Sequence, residues 1–410
     1  MLIGSLWYTD YSNWKWGATL FREFLLDPSK KNANKKALYE LIHRKRLVSK
    51  GDLLDAFAVP QTTLTRMIHD LERKGWIQSG GIGPSKGGRP PVLYKANPLS
   101  GYIFGIEIAR SVQVLLLNLE FAVIDKKVFL VTKKFTPDEM MSRIMNDMKQ
   151  MMANHQLNDS DLVGIGVGAI GPVDREKGKM IHPESFRSFG WEEVSIVGKM
   201  EQQFHVPIIL NNGANTAAIA EYKIQEYSNK NLLYCISGYG IRCGIIQAGS
   251  SLNSKQGDAS SYGHMIVQPG GRMCTCGKKG CLNAYSSFGA MFDLVQQIDS
   301  SLVLTSPENL IDALQNGEPT VEAVTHEAAY YYGLAIANMV NVLHPDVVLL
   351  QGKLIEQNER YLNRVIAVAK EHIYASHLTD LHIGKGKLGR EAVAIGAAVE
   401  LFQGFFVEIG

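Results

Sequence analysis

From Gly101 onward the chain alternates short apolar runs with longer amphipathic stretches, and that alternation leaves little choice of architecture. The runs 101–107, 112–119, 123–129, 162–168, 208–210, 232–237, 244–248 and 347–352 read as strands. The stretches 136–155, 195–204 and 215–227 read as helices between them, and 306–341 and 357–377 are largely helical in pattern. A sheet with apolar faces must bury them, and strand–helix alternation does so by laying helices over the sheet. The expected class is α/β, in two or three domains at about 100–200 residues each.

The first 95 residues have a different texture. They carry 16 Lys/Arg and 8 Asp/Glu, a charge of +8, whereas the remainder carries −6 and the whole chain only +2. A basic end on an acidic body points to a polyanion as partner of the first part. The 46% apolar and 20% charged composition excludes a disordered or collagen-like chain.

Within that end, 35–44 reads as a helix with Leu38, Leu41 and Ile42 on one face. Ser49 is placed to N-cap a helix over 51–57, with Asp52 three residues on, the spacing of a capping box. After Ala58-Val59-Pro60, residues 61–74 form an amphipathic pattern with Leu64, Ile68 and Leu71 inward. Thr62, Thr65, Arg66, His69 and Arg73 fall on the opposite face. Trp76-Ile77 and Val92-Leu93-Tyr94 read as two short strands around a Gly/Pro-rich loop carrying Lys86 and Arg89. This order is that of a winged helix-turn-helix. Double-stranded DNA is the expected partner, with Gln61, Thr62, Thr63, Thr65 and Arg66 toward the major groove and Arg73, Lys74 and Lys86 on phosphates. Arg89, between Gly87-Gly88 and Pro90-Pro91, is expected in the minor groove. Before this unit, Trp7, Tyr8, Tyr11, Trp14, Trp16, Phe21 and Phe24 make an aromatic extension, expected to pack on its own domain or on a second subunit.

No run approaches the roughly 18 apolar residues that span a bilayer, so no membrane segment is expected. The opening MLIGSLWYTD lacks a basic leader and a long apolar stretch, so no signal peptide is expected. Five cysteines are an odd number for a disulfide framework, and the expected compartment is a reducing cytoplasm. Cys235 and Cys243 sit in strand-like runs as buried small residues.

The remaining three cysteines, Cys274, Cys276 and Cys281, lie within eight residues, and His264 is ten residues upstream of the first. Three thiolates and one imidazole make a closed four-ligand set, which suits structural zinc because no position is left for a reacting water.

These residues also carry a resemblance. The segment GHMIVQPGGRMCTCGKKGCLNAYSS is similar to the signature of the ROK family of repressors, open reading frames and sugar kinases. GIGVGAIGPVD at 164–174, NGANTAAIAE at 212–221, HPDVVLLQG ending at Gly352 and VAIGAAVEL at 393–401 resemble further family segments in order. GGRPP in the wing is typical of the repressor branch, of which xylose and N-acetylglucosamine repressors are examples. The resemblance runs from about Asn34 to Gly404. It implies a two-lobed actin-like, hexokinase-like (ribonuclease H-like) domain behind the winged helix-turn-helix, and a homodimer or homotetramer. The division expected is an extension over 1–33, the winged helix over 34–98, and a first lobe over 99–230 onto which 390–410 packs back. The second lobe, with the zinc loop, is expected over 231–389.

The departures from the family pattern bear on activity. The kinases' general base, an Asp, stands where this chain has Gly213. Glycine cannot take a hydroxyl proton. The first phosphate turn, DxGGT in the kinases, is Glu107-Ile-Ala109-Arg110-Ser111, and the second, GTGIGxG, has Tyr239 and Arg242 in place of Thr and Gly. Side chains there crowd backbone amides meant to reach a phosphate. The chain is therefore expected not to be an enzyme and not to bind ATP. The family's sugar-gripping positions fall on Asn212, Gly213, Ser261, His264 and Asn283, with all three carboxylates gone. Either the effector differs from a neutral hexose, a sugar phosphate being one candidate, or the cleft no longer binds one. The expected function is a DNA-binding regulator of carbohydrate metabolism, most simply a repressor. The rivals are an ATP-dependent sugar kinase fused to a DNA-binding domain, and a regulator controlled by a protein partner.

Overall fold

A computed structural model describes residues 20–406, apart from 58, 85–89, 133–134, 184–185, 187–189, 226, 253–260 and 378. The aromatics from Trp7 to Trp16 and the wing residues Lys86 and Arg89 lie outside the described residues.

The chain begins with α1 (Leu20–Leu26), α2 (Lys30–Lys45), β1 (Val48–Ser49), α3 (Lys50–Ala56), α4 (Gln61–Arg73), β2 (Ile77–Ile82) and β3 (Val92–Ala96). The three strands form a small sheet in the order β1-β3-β2. The capping box forms as the spacing demands: Ser49 Oγ accepts the Asp52 N–H at 3.2 Å and Asp52 accepts the Ser49 N–H at 2.9 Å. Two elements are longer than the sequence indicates. Helix α2 starts at Lys30. Strand β2 continues past Ile77 through Gly80-Gly81, because Gly81 takes φ +112° at a bulge and lets the ladder with β3 resume.

The first lobe opens with β4 (Tyr102–Ile108), β5 (Ser111–Asn118) and β6 (Val123–Leu130), an antiparallel meander. After α5 (Pro137–Asn154), β7 (Leu162–Ala169) pairs parallel with β4. A minor sheet of β8 (Val173–Asp174), β9 (Lys179–Met180) and β10 (Val194–Ser195) leads through α6 (Ile196–Glu201) to β11 (Ile208–Asn212), parallel to β7. Helix α7 (Gly213–Ile224) follows.

The second lobe repeats the plan with β12 (Leu232–Ile236), β13 (Arg242–Gln247) and β14 (Ser250–Ser251). Then come α8 (Asn283–Ser286), α9 (Phe288–Ile298), α10 (Pro307–Gln315) and α11 (Pro319–Leu343). Strand β15 (Val347–Gln351) pairs parallel with β12, and after α12 (Lys353–Gln357) and α13 (Glu359–His372), β16 (His382–Lys385) pairs parallel with β15. The chain returns to the first lobe as α14 (Ala392–Gly404). The sheet orders β11-β7-β4-β5-β6 and β14-β13-β12-β15-β16 are the same topology twice, three antiparallel strands and two parallel ones. This is the two-lobed, ribonuclease H-like architecture.

Strands β7 and β15 are buried along their whole length, which explains their unbroken apolar sequence. Helices α14 and α7 pack on each other between the two sheets, and their sequences are poor in large residues for that reason. A Cβ on Gly396 would lie 1.7 Å from the Thr216 carbonyl oxygen, so only glycine permits the approach. The outer face of the first sheet is covered by α5, which buries Met140, Met141, Ile144, Met145, Met148, Met151 and Met152.

The N-terminal unit shares an apolar core with the first lobe. Phe21 and Phe24 pack against Tyr39 and Trp76, the Phe24 and Trp76 rings stacking at 4.5 Å. Buried Arg22 donates to the carbonyl oxygens of Asp159 at 2.8 Å, in the turn before β7, and Leu162 at 2.6 Å, at its start. From α2, His43 meets Phe121 and Phe402, its Nε2 2.6 Å from the Leu119 carbonyl oxygen.

Candidate functional site

Helix α4 presents Gln61, Thr62, Thr65, Arg66, His69 and Arg73 outward and buries Leu64, Met67, Ile68 and Leu71. Thr63 is half-buried. The Thr65 hydroxyl donates to the Gln61 carbonyl at 2.7 Å, which lowers the number of free hydroxyls on this face. Asp70 gathers the cations at the end of the helix. Lys35 reaches it at 2.6 Å, Arg73 at 3.0 Å and Lys74 at 3.5 Å. The hydrogen bond from Lys35, with Arg73 and Lys74 beside it, pushes the Asp70 carboxyl down to about 2. Lys74 also lies over the Trp76 ring at 4.5 Å. Sequence reasoning assigned Arg73 and Lys74 to phosphates and overlooked Asp70, whose partner Lys35 lies on another helix.

The side chains of His264, Cys274, Cys276 and Cys281 converge, with one ligand atom from each within 4.8 Å of all the others. Cys274 Sγ is 3.6 Å from His264 Nδ1, and the sulfurs of Cys276 and Cys281 are 3.7 Å apart. A tetrahedral zinc with arms of about 2.0–2.3 Å sets its ligand atoms at roughly these separations. The loop is built for convergence. Met273 bridges Lys279, Ile266 bridges Cys281, and Gly270, Gly277 and Gly280 have positive φ. A Cβ on Gly280 would strike the Gln268 carbonyl oxygen at 1.9 Å. Burial and the neighbouring thiols push the Cys281 thiol up to about 12, whereas the Lys278 backbone amide draws Cys276 down. Three thiolates so close require a compensating cation, which is what this donor set would hold. The Arg272 guanidinium ties the loop to α11 through Glu327 at 2.8 and 2.9 Å.

The residues matched to sugar contacts are divided in the structure. Asn212 is fully buried as the N-cap of α7, its Oδ1 accepting the Ala214 N–H at 3.1 Å. Its Nδ2 has no partner among the described residues. Gly213 opens α7, and a Cβ there would sit 3.2 Å from Val393 Cγ1. Asn283 Oδ1 accepts the Ile241 N–H at 2.9 Å, and the Asn283 amide lies against Gly263, beside His264. Ser261 is exposed at the start of the turn that carries His264. His264 faces the cysteines, so its part belongs to the metal set.

The two phosphate turns face each other across the lobes. The guanidinium carbon of Arg110, between β4 and β5, lies 3.3 Å from the centroid of the Tyr239 ring, between β12 and β13. Burial pushes the Glu107 carboxyl up to about 7, opposed by the charges of Arg242 and Arg390. Burial lowers the Arg242 pKa, countered by Glu107.

A separate cavity of about 920 Å³ is lined by His43 and Arg44 of α2, Arg46 at its C-cap, Tyr222 and Lys223 of α7 and Phe402 of α14. Among the described residues no helix is long and apolar enough to cross a membrane.

Comparison with known proteins accords with this geometry. The xylose repressor of Caldicellulosiruptor bescii is 24% identical over 380 residues, covering 89% of this chain and 94% of the repressor. The glucokinase of Halalkalibacterium halodurans is 28% identical over 312 residues, 71% of this chain and 92% of the kinase. A crystal structure of a ROK family transcriptional regulator, a homologue of the Escherichia coli MLC protein, superposes with a TM-score of 0.75 at 22% identity, covering 91% of this chain and 96% of that one. Repressors match the N-terminal unit and both lobes, whereas the kinase matches a shorter part. The ROK family model itself matches residues 112–403, and the chain belongs to the ROK family.

Proposed function

We propose that the chain is a sugar-responsive transcriptional repressor, in which a winged helix reads double-stranded DNA and a kinase-like domain senses the effector without catalysis. The observation that carries this reading is the outward face of α4, Gln61, Thr62, Thr65 and Arg66, set beside a three-stranded wing and joined by a continuous core to the first lobe. Side chains of these types bond to base edges and phosphates. Thr63 lies at the edge of that face, and Arg73 and Lys74 reach phosphate by leaving Asp70. In this reading Lys86 and Arg89, outside the described residues, add a phosphate contact and a minor-groove contact respectively.

Catalysis is absent in this reading because Gly213 supplies no base and the phosphate turns are filled by Arg110, Tyr239 and Arg242. The relatives named as xylose repressors support a sugar effector. The unpaired Asn212 Nδ2 offers it a buried donor, and Asn283 and Ser261 border the same cleft in the family pattern. Zinc at His264, Cys274, Cys276 and Cys281 braces the loop beside that cleft. The protein works in the cytoplasm as a homodimer or homotetramer, presenting two reading helices to two half-sites.

The test is selection of bound sequences from random duplex DNA by the full chain, followed by affinity measurement with and without xylose and other sugars. Arg66→Ala is expected to weaken binding by about 1–3 kcal/mol at unchanged melting temperature. Failure to select any sequence overturns the reading. The likeness to a glucokinase favours the kinase alternative, and sugar-dependent ATP turnover by the purified chain would establish it.

A further inference from the structure

Arg110 and Tyr239 belong to different lobes, yet they make one of the closest cation–ring contacts in the molecule at 3.3 Å. Each side is held from behind. On the first lobe, the Arg110 carbonyl accepts the Val131 N–H at 2.9 Å and the Ala109 N–H donates to the Ser111 carbonyl at 3.1 Å. On the second, the Tyr239 ring packs edge-on to Phe288 and Phe292 of α9, the Gly238 carbonyl accepts the Phe288 N–H at 2.9 Å, and Asn283 holds Ile241. Glu107 in β4 and Arg242 in β13 also influence each other electrostatically across the same boundary. The two hairpin turns therefore meet through one stacked pair, at equivalent places in the repeated topology.

We propose that these turns form a latch that closes the lobes with the protein's own side chains, Arg110 on Tyr239, in the place a nucleotide would otherwise occupy. A guanidinium over a phenol ring is attracted by the negative face of the ring, more strongly when both are desolvated. Lobe closure then depends on residues within the chain, and an effector acts by tightening or releasing a contact already made. The latch concerns the lobes alone and its test uses no DNA, so it stands or falls apart from the regulator reading.

The experiment is hydrogen exchange of the full-length protein, read at the amides of 109–112 and 238–241. Arg110→Ala is expected to speed exchange at 238–241 at least tenfold, and Tyr239→Ala to do the same at 109–112. The double variant is expected to add little to either. Arg110→Lys, which keeps a cation over the ring, is expected to restore most of the protection and serves if the alanine variant does not fold. MgATP at millimolar concentration is expected to leave the wild-type pattern unchanged. Effects confined to the mutated turn, additive effects, equal loss in Arg110→Lys, or protection of either turn by MgATP would each overturn the latch.

Discussion

The side-chain oxygen of Asn283 accepts the backbone N–H of Ile241 at 2.9 Å, and so the helix that follows the metal loop holds the second phosphate turn. A residue that sequence comparison places in an effector subsite has its acceptor committed to the fold. Asn283→Ala leaves the Ile241 N–H unpaired, and such a group costs about 1–3 kcal/mol. Denaturant unfolding without any sugar is expected to show that loss. An unchanged stability would return Asn283 to a ligand role alone.

Metal content gives a second expectation. Elemental analysis of the purified chain should find about one zinc per protein, and Cys276→Ser should lose it. Removing the metal with a chelator is expected to lower the melting temperature, because metal affinity is part of folding free energy at such a site. Lys279→Ala, on the same loop, should keep the metal. A folded, zinc-free protein of unaltered stability would refute the assignment.

Asp70 links three cations on two helices. Its folded pKa, about 2 against an ordinary 3.8, lies below the unfolded value. The stabilisation is therefore complete above about pH 4 and is lost as pH falls through 2. Asp70→Asn should cost about 1–2 kcal/mol at pH 7, with the gap to wild type closing toward pH 2. The same variant frees Lys35, Arg73 and Lys74 and should raise affinity for duplex DNA at low salt.

Glu107 behaves in the opposite sense. It is raised to about 7 from 4.5 by burial, with Arg242 of β13 and Arg390 ahead of α14 opposing the shift and Tyr234 of β12 nearby. The folded protein then holds a proton that the unfolded chain releases, so this group's contribution falls as pH rises from 4.5 to 7. At about 1.4 kcal/mol per unit the change is at most about 3.5 kcal/mol. Urea unfolding of wild type and Glu107→Gln across pH 5 to 8 should diverge by a pH-dependent amount. A constant difference would exclude the titration.

Much of this was legible in sequence because it is local. The apolar runs of β4, β5, β7 and β15 exceed anything a loop would carry, the Ser49–Asp52 capping box is a three-residue pattern, and the cysteine spacing names its own cluster. The missed features depend on tertiary placement. Strand β16, HIGK, has little apolar signal because it lies at a sheet edge and takes its hydrogen bonds from β15. The partnership of Glu107 with Arg242 joins residues 135 positions apart, and no periodicity encodes it. The extension of β2 through Gly80-Gly81 defied the expectation that paired glycines end a strand, since the bulge absorbs the φ that only glycine tolerates.

Arg22 is one side chain bonded to two carbonyls at the root of β7. With Phe21 and Phe24 it rivets the N-terminal unit to the first lobe, leaving no slack tether between them. A signal passing between sensor and reader then travels as rotation of a rigid arm, and any pairing of two copies through their lobes fixes the distance between reading helices as a pair of calipers does. Tolerance for altered half-site spacing should be narrow, and loosening that one rivet should widen it.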